Sequence, residues 1–113
     1  MKGFTDLDQS RKLAEFLPIE SADMWYHGHG SPWESEREYD SDACPFHSMR
    51  PNWDIPCWSL AALFKVISDI FKYNLDYNGT SFILMVGDFE VSNKAAVDAC
   101  VEMIEKLHEQ KLL

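Results

Sequence analysis

The feature that most constrains the fold is an apolar stripe in the segment PCWSLAALFKVISDIF at residues 56–71. Its apolar residues recur at intervals of three and four positions, which is the repeat of an α-helix with one buried face. Ser59 precedes the stripe and is a favoured residue at a helix N-cap. The pattern predicts a helix at the centre of the core, with apolar positions Leu60, Leu63, Phe64, Ile67, Ile70 and Phe71.

The next segment, YNLDYNGTSFILMV at residues 73–86, has the pattern of a β-hairpin. Asn78 and Gly79 can both adopt the positive φ that a two-residue type I′ turn requires, and alternating residues on either side fit two strands. Gly87 and Asp88 then predict a bulge or a second turn before a strand at FEVS. The type I′ turn would set Tyr77 opposite Thr80, Leu75 opposite Phe82 and Tyr73 opposite Leu84.

The N-terminal part of the chain predicts a helix and a short strand. The helix would run from about residue 6 to 16, with Thr5 and Asp8 forming a capping box and Pro18 ending it. The aromatic-rich segment at residues 21–28 ends in glycine and fits a strand.

The C-terminal pattern predicts a helix that is capped by Ser92 or Asn93 and runs to about Gln110. Three amphipathic helices and a short antiparallel sheet pack best as an α+β fold. We therefore expect about three strands, including the 73–86 hairpin, with about three helices on one face. A chain of 113 residues has room for one core, so we expect a single domain over residues 1–113.

Between residues 28 and 56 the periodicity disappears and prolines and acidic residues accumulate. A long structureless loop is uncommon in a compact domain, so this segment is expected to be an insertion, a partly disordered stretch or a lid. Trp33, Phe46 and Trp53 are costly to leave in water, so parts of the segment should fold back onto the body.

Charge and hydropathy exclude several classes of partner. The chain has 10 basic and 19 acidic residues, a net charge of −9, which disfavours direct binding to nucleic acid or to anionic lipid. No apolar run is long enough to span a membrane, and the N-terminus lacks the apolar stretch of a signal peptide. We therefore expect a cytoplasmic protein whose three cysteines, Cys44, Cys57 and Cys100, are reduced thiols.

Three stretches of the chain resemble a group of small uncharacterised proteins of gut bacteria, often carried by phages and other mobile elements. The stretches are SRKLAEFLPIESADMWY, DIPCWSLAAL and AVDACVEMIEKLHEQKLL. The resemblance covers about half of the chain, and Ala96 stands where such proteins often have proline. It implies an accessory protein inside a bacterial cell, and it implies no catalytic residue.

Two pairs of residues could together hold a metal ion. His27 and His29 are two positions apart, and Cys44 and His47 are three apart, which would make a His₃Cys zinc site. Structural zinc sites more often have two tight pairs of better-known spacing. The alternative is that these histidines are exposed or simply hydrogen-bonded.

A second set of residues could form a binding surface. Tryptophan and tyrosine are favoured anchors of protein interfaces and also stack on nucleotide bases, whereas the alternative is that they form a small core for the loop. The aromatic candidates are Trp25, Tyr26, Trp33, Trp53 and Trp58, and the acidic candidates are Glu34, Glu36, Glu38, Asp40 and Asp42.

The sequence therefore leaves three functions open. The first is a non-enzymatic binding protein, such as a mobile-element factor that inhibits a host defence component or sequesters a small nucleotide, and that forms a small oligomer. The second is a zinc-binding domain or small metal-dependent enzyme. The third is a structural component of a larger assembly. No residue is assigned to catalysis, because Cys57 has no histidine that can be placed beside it.

Overall fold

The computed structural model describes residues 2–45, 49–50 and 53–113, and it confirms the α+β class. In the described part of the chain, no helix is long and apolar enough to cross a membrane. The helices are α1 (Leu7–Ala14), α2 (Leu60–Ser68) and α3 (Ala96–Glu109). The strands are β1 (Met24–Tyr26), β2 (Gly28–Gly30), β3 (Arg37–Tyr39), β4 (Ile55–Cys57), β5 (Asn74–Tyr77), β6 (Phe82–Val86) and β7 (Phe89–Asn93).

The largest sheet is antiparallel, in the order β5-β6-β7, and contains the predicted hairpin. Its register differs from the prediction, because Tyr77 lies opposite Phe82 and Leu75 opposite Leu84. The predicted turn needs positive φ at two residues, but only Gly79 adopts it, at +95°. The side chain of Asn78 instead accepts hydrogen bonds from two backbone N–H groups and closes a longer loop. The register moves by two residues, so each side chain stays on its predicted face.

Gly87 and Asp88 form the second turn rather than a bulge. Val86 pairs directly with Phe89 across them, and Gly87 has a φ of +57°. Strand β7 then continues to Asn93, so neither Ser92 nor Asn93 is free to cap the last helix. That part of the prediction is wrong: Ala95 occupies the N-cap of α3 and makes no side-chain cap hydrogen bond.

The main core lies between the three helices and the inner face of this sheet. Helix α2 begins as predicted, because the side chain of Ser59 accepts a hydrogen bond from the Ala62 N–H. It ends at Ser68, which leaves Ile70 57% exposed instead of buried. Helix α3 packs on β6 and β7 and against α2. The largest fully buried side chains of this core are Trp58, Leu13, Leu63, Ile67, Leu84, Met103, Ile104 and Leu107.

Helix α1 is capped one residue later than predicted. Asp6 accepts the Gln9 N–H, and the Gln9 side chain returns to the Asp6 N–H, which completes the capping box. Thr5 is buried instead, where its hydroxyl accepts the Trp58 N–H and bonds to the Ser10 hydroxyl. Thr5 therefore joins the chain end to the start of α2, a contact between distant segments that local pattern cannot predict.

The segment from residue 28 to 56 is more structured than predicted. It contains the antiparallel pair β2–β3 and the start of β4, which pairs with β1. Each of these strands has only three residues, too few for an alternating pattern to be visible in the sequence. A second, smaller core of Tyr26, Ile55 and Cys57 lies beneath them. Phe46 lies outside the described residues.

Candidate functional site

The surface segment with the most exposed site candidates is residues 28–42, which we call the acidic hairpin. Its strands β2 and β3 pair with His29 opposite Glu38 and Gly30 opposite Arg37. The connection between them is ordered by Ser31, whose hydroxyl accepts the Trp33 N–H at 3.1 Å and bonds to the Glu36 carboxylate at 3.3 Å. The tip of the hairpin thus has a defined conformation.

The guanidinium of Arg37 fastens the hairpin to the rest of the protein. It donates to the carbonyl oxygens of Ser31 and Pro32, at 3.2 and 2.9 Å, and to that of Trp53 at 3.1 Å. It also lies over the Trp53 ring, 4.3 Å from its centre. This combination of a planar donor and a stacked cation is specific to arginine.

Each of the two glycines in the sequence WYHGHG is required for a different structural reason. Gly28 is buried, and a Cβ atom there would lie 2.1 Å from the Trp53 carbonyl oxygen. Gly30 has a φ of +94°, a conformation that other residues rarely adopt. The motif is therefore explained by close backbone packing and by the turn into the hairpin.

Beneath the hairpin, the buried carboxylate of Asp54 organises the surrounding backbone. It accepts the Gly28 N–H at 3.1 Å, the Arg50 N–H at 2.9 Å and the Arg50 guanidinium at 2.9 Å. Burial alone would raise the pKa of Asp54, but the hydrogen bonds from Arg50 and Gly28 outweigh it and lower the pKa to about 2. His27 Nδ1 lies 3.5 Å from the same carboxylate.

The predicted metal ligands have separate partners. His27 faces Asp54, and the His29 Nε2 atom lies 2.8 Å from the Asp40 carboxylate. Cys44 exchanges two backbone hydrogen bonds with Trp25. His47 lies outside the described residues, and among the described ones no group of three or more His, Cys, Asp or Glu side chains is placed to hold a metal ion. The zinc site stays a prediction.

Two of the five aromatic candidates are not available to a partner. Trp58 is fully buried and its indole N–H donates to the Ser21 hydroxyl, while Tyr26 is 4% exposed and donates to the Thr5 carbonyl. The sequence left open whether they belong to a binding surface or to a core. The structure places Trp58 in the main core and Tyr26, the last residue of β1, in the smaller one.

The other three aromatic candidates lie nearer the surface. Trp53 is half-buried beneath Arg37. Trp25 is also half-buried, and its indole N–H, like the hydroxyl of Tyr39, is buried and has no hydrogen-bond partner among the described residues. Trp33 differs from both, because it is 70% exposed at the tip of the hairpin.

The acidic candidates follow Trp33 along the chain. Glu36, Glu38, Asp40 and Asp42 are all exposed. Glu34 belongs to the single helical turn at Glu34–Glu36, and its side chain lies outside the described part of the structure. The acidic hairpin therefore presents an exposed tryptophan next to a run of exposed carboxylates.

The buried cysteines are poorly suited to nucleophilic chemistry. Burial raises the pKa of Cys57, and it raises the pKa of Cys100 to about 12. Both thiols are therefore protonated at neutral pH, whereas a cysteine nucleophile reacts as the thiolate.

Sequence reasoning missed a groove between helix α2 and the segment that follows α1. It comprises two adjoining cavities of about 240 and 280 Å³ that share Pro18, Ser21, Val66 and Asp69. The exposed Ile70 lines the first of them. The sequence could have indicated the groove only through the C-terminus of α2. Because the helix ends at Ser68, before Ile70, the Ile70 side chain is exposed beside the groove and not buried in the core.

Comparison with protein-family models, with curated proteins and with solved structures finds no match to this chain.

Proposed function

We propose that this protein is a binding protein that uses the acidic hairpin to hold a partner protein with a basic surface. The observation that carries the proposal is Trp33, which is 70% exposed on an ordered turn and is followed by the exposed carboxylates of Glu36, Glu38, Asp40 and Asp42. Exposed tryptophans are the commonest energetic anchors of protein interfaces. The surrounding charges would attract a basic partner and orient it.

The fixed conformation of the hairpin supports this use. Arg37, Ser31 and Asp54 hold the turn and its base through hydrogen bonds, so Trp33 is positioned before a partner arrives. Preorganisation lowers the entropy cost of binding.

Of the two modes of action, inhibition of a host component and sequestration of a nucleotide, inhibition has the better support, because an acidic surface can imitate nucleic acid. The carboxylates of Glu36, Glu38, Asp40 and Asp42 are all exposed, although Glu36 also bonds to Ser31 and Asp40 to His29. Stacking of a nucleotide between two aromatic rings would need a second exposed ring beside Trp33, but Trp58 and Tyr26 are buried. We extend the proposal to a nucleic-acid-binding protein of a host bacterium, such as a defence component.

The experiment compares two hairpin variants with two matched controls. Trp33→Ala removes the anchor, and its control is Ile19→Ala, because Ile19 is 50% exposed outside the hairpin. The second variant changes Glu36, Glu38, Asp40 and Asp42 to the corresponding amides. Its control removes the same charge from the exposed positions Glu20, Asp88, Glu90 and Glu109.

Each immobilised protein is incubated with host lysate, and the retained proteins and small molecules are quantified by mass spectrometry. We expect a basic protein that is retained by the wild type and both controls and is lost with both hairpin variants. Retention of a nucleotide that survives the amide substitutions would support sequestration instead. A partner that both hairpin variants keep would contradict the proposal, as would virion proteins held by another surface.

A further inference from the structure

The outer edge of β5 carries unused hydrogen-bonding groups. Strand β5 pairs with β6 on one side, and in the described part of the chain no strand pairs with its other side. An open edge of this kind can pair with a strand of another molecule.

The hydrogen-bond pattern identifies which groups point outward. Val86 and Phe89 flank a two-residue turn and so form a hydrogen-bonded pair. Because the direction of the backbone groups alternates along a strand, the N–H and C=O groups of Leu84 also point towards β7. The same alternation points the backbone N–H and C=O groups of Ile83 towards β5, where Ile83 lies opposite Asp76. The hydrogen bond from the Asn78 N–H to the Ser81 carbonyl, at 3.1 Å, agrees with this alternation, because Asn78 and Ser81 lie two positions beyond Asp76 and Ile83.

It follows that the backbone N–H and C=O groups of Leu75 and Tyr77 point away from β6. The side chains of β5 divide in the same way between the two faces of the sheet. Leu75 and Tyr77 share the face of the buried Leu84, whereas Asn74 and Asp76 are exposed on the other face.

The inner face of β5 extends beyond the helical layer. Helix α3 packs mainly on β6 and β7, and Tyr73 and Tyr77 remain 39% and 58% exposed. Tyr73 stacks on Phe64 of α2, with ring centres 5.1 Å apart, and Tyr77 lies 4.8 Å from the ring of Phe82. This edge therefore combines free backbone groups with an aromatic surface.

We propose that β5 pairs with β5 of a second copy of this chain, antiparallel and with Leu75 opposite the partner's Leu75 on the two-fold axis. The two β-sheets then become one continuous six-stranded sheet. Tyr73 lies opposite the partner's Tyr77 on the inner face, and Asn74 lies opposite the partner's Asp76 on the outer face.

Side-chain complementarity selects this register from the alternatives. Residues on the inner face must stay opposite residues on the inner face, so the register of the two β5 strands can change only by two residues at a time. One step places Asp76 against the partner's Asp76, where two like charges oppose each other directly. The step in the other direction leaves Asn74 as the only residue of β5 opposite another β5 residue. The proposed register instead gives two amide–carboxylate pairs.

The test measures the dimer dissociation constant by sedimentation equilibrium, and all variants are checked by circular dichroism. Asn74→Lys places a cation against each partner carboxylate, and Asn74→Asp places a like charge there. Two symmetry-related pairs change at once, so we expect dimerisation to be about tenfold tighter and about tenfold weaker, respectively. Ser92→Lys and Ser92→Asp, at an exposed position of β7, change the net charge equally and control for general repulsion.

Amide hydrogen exchange at increasing protein concentration tests the edge without any substitution. We expect the N–H groups of Leu75 and Tyr77 to become protected, while those of Glu90 and Ser92 on the opposite edge do not. A protein that is monomeric at every concentration would overturn the proposal. So would a dimer in which Leu75 stays unprotected, or one that responds equally to the Asn74 and Ser92 substitutions.

Discussion

At the scale of single residues, Asp54 carries the most structural consequence. Its carboxylate is completely buried and holds both the base of the acidic hairpin and Arg50. Nothing in the sequence distinguishes Asp54 from the other acidic residues. Only its burial and the hydrogen bonds that it accepts from Gly28 and Arg50 set it apart.

Asp54 should make stability depend on pH in the acid range. Its folded-state pKa, about 2, is below the value near 3.8 expected in the unfolded chain, so its contribution is present above pH 4 and is lost as the pH falls towards 2. We expect this contribution to be about 2 kcal/mol at neutral pH. Urea unfolding of wild type and Asp54→Asn should show a stability gap that closes between pH 4 and 2. Asp42→Asn, at an exposed carboxylate, is the control, and a gap for Asp54 that is the same at both pH values would refute the assignment.

Gly28 should tolerate no side chain. Gly28→Ala would place a Cβ atom against the Trp53 carbonyl oxygen, and because that atom belongs to the backbone, a strand must shift. We expect the free energy of unfolding to fall by about 1–3 kcal/mol. Gly3→Ala is the matched control, since no described residue other than its chain neighbours has an atom within 4 Å of its Cβ position. Equal urea midpoints for the two variants would show that the close approach is absent.

At the scale of elements, helices α2 and α3 differ in how their N-termini are capped. Helix α2 has the predicted Ser59 cap, whereas α3 begins after Ala95. The first turn of α3 is used in another way, because Asp98 binds Lys2 at 2.7 Å and Gln9 at 2.8 Å. These contacts attach the N-terminal segment to the last helix.

Helix α3 should therefore be open to stabilisation at its N-cap. Ala95 already has extended backbone, so Ala95→Ser can accept an N–H group of the first turn, and we expect a gain of about 1 kcal/mol in the free energy of unfolding. Thermal and urea unfolding measure it. Ala61→Ser, an exposed position within α2, controls for the change in side chain and should lower stability slightly. If both substitutions destabilise the protein equally, the N-cap is not where the structure places it.

At the scale of the whole molecule, the net charge of −9 opposes both folding and self-association. Added salt screens this repulsion, so we expect the Tm to rise by a few degrees between about 0.01 and 0.5 M NaCl at neutral pH. The same titration at the isoelectric pH is the control, where the rise should disappear. A Tm that ignores salt at neutral pH would indicate that local ion pairs already balance the excess charge.

The two proposed surfaces should respond to salt in opposite directions. Binding of a basic partner by the acidic hairpin weakens as salt screens the attraction, whereas pairing of two β5 edges strengthens as salt screens the repulsion between two negative molecules. Measuring both at the same salt concentrations keeps the two proposals separate.

The sequence by itself determined the local structure of this protein. The apolar repeat of α2, the Ser59 cap and the presence of the hairpin at residues 73–86 depend on neighbours a few positions apart, whose effects are readable in sequence. Only the tertiary structure decided the burial of Trp58 and Tyr26 and the exposure of Trp33. These properties depend on contacts between distant segments, such as Thr5 with Trp58 and Arg37 with Trp53, and no local pattern specifies which distant groups will meet.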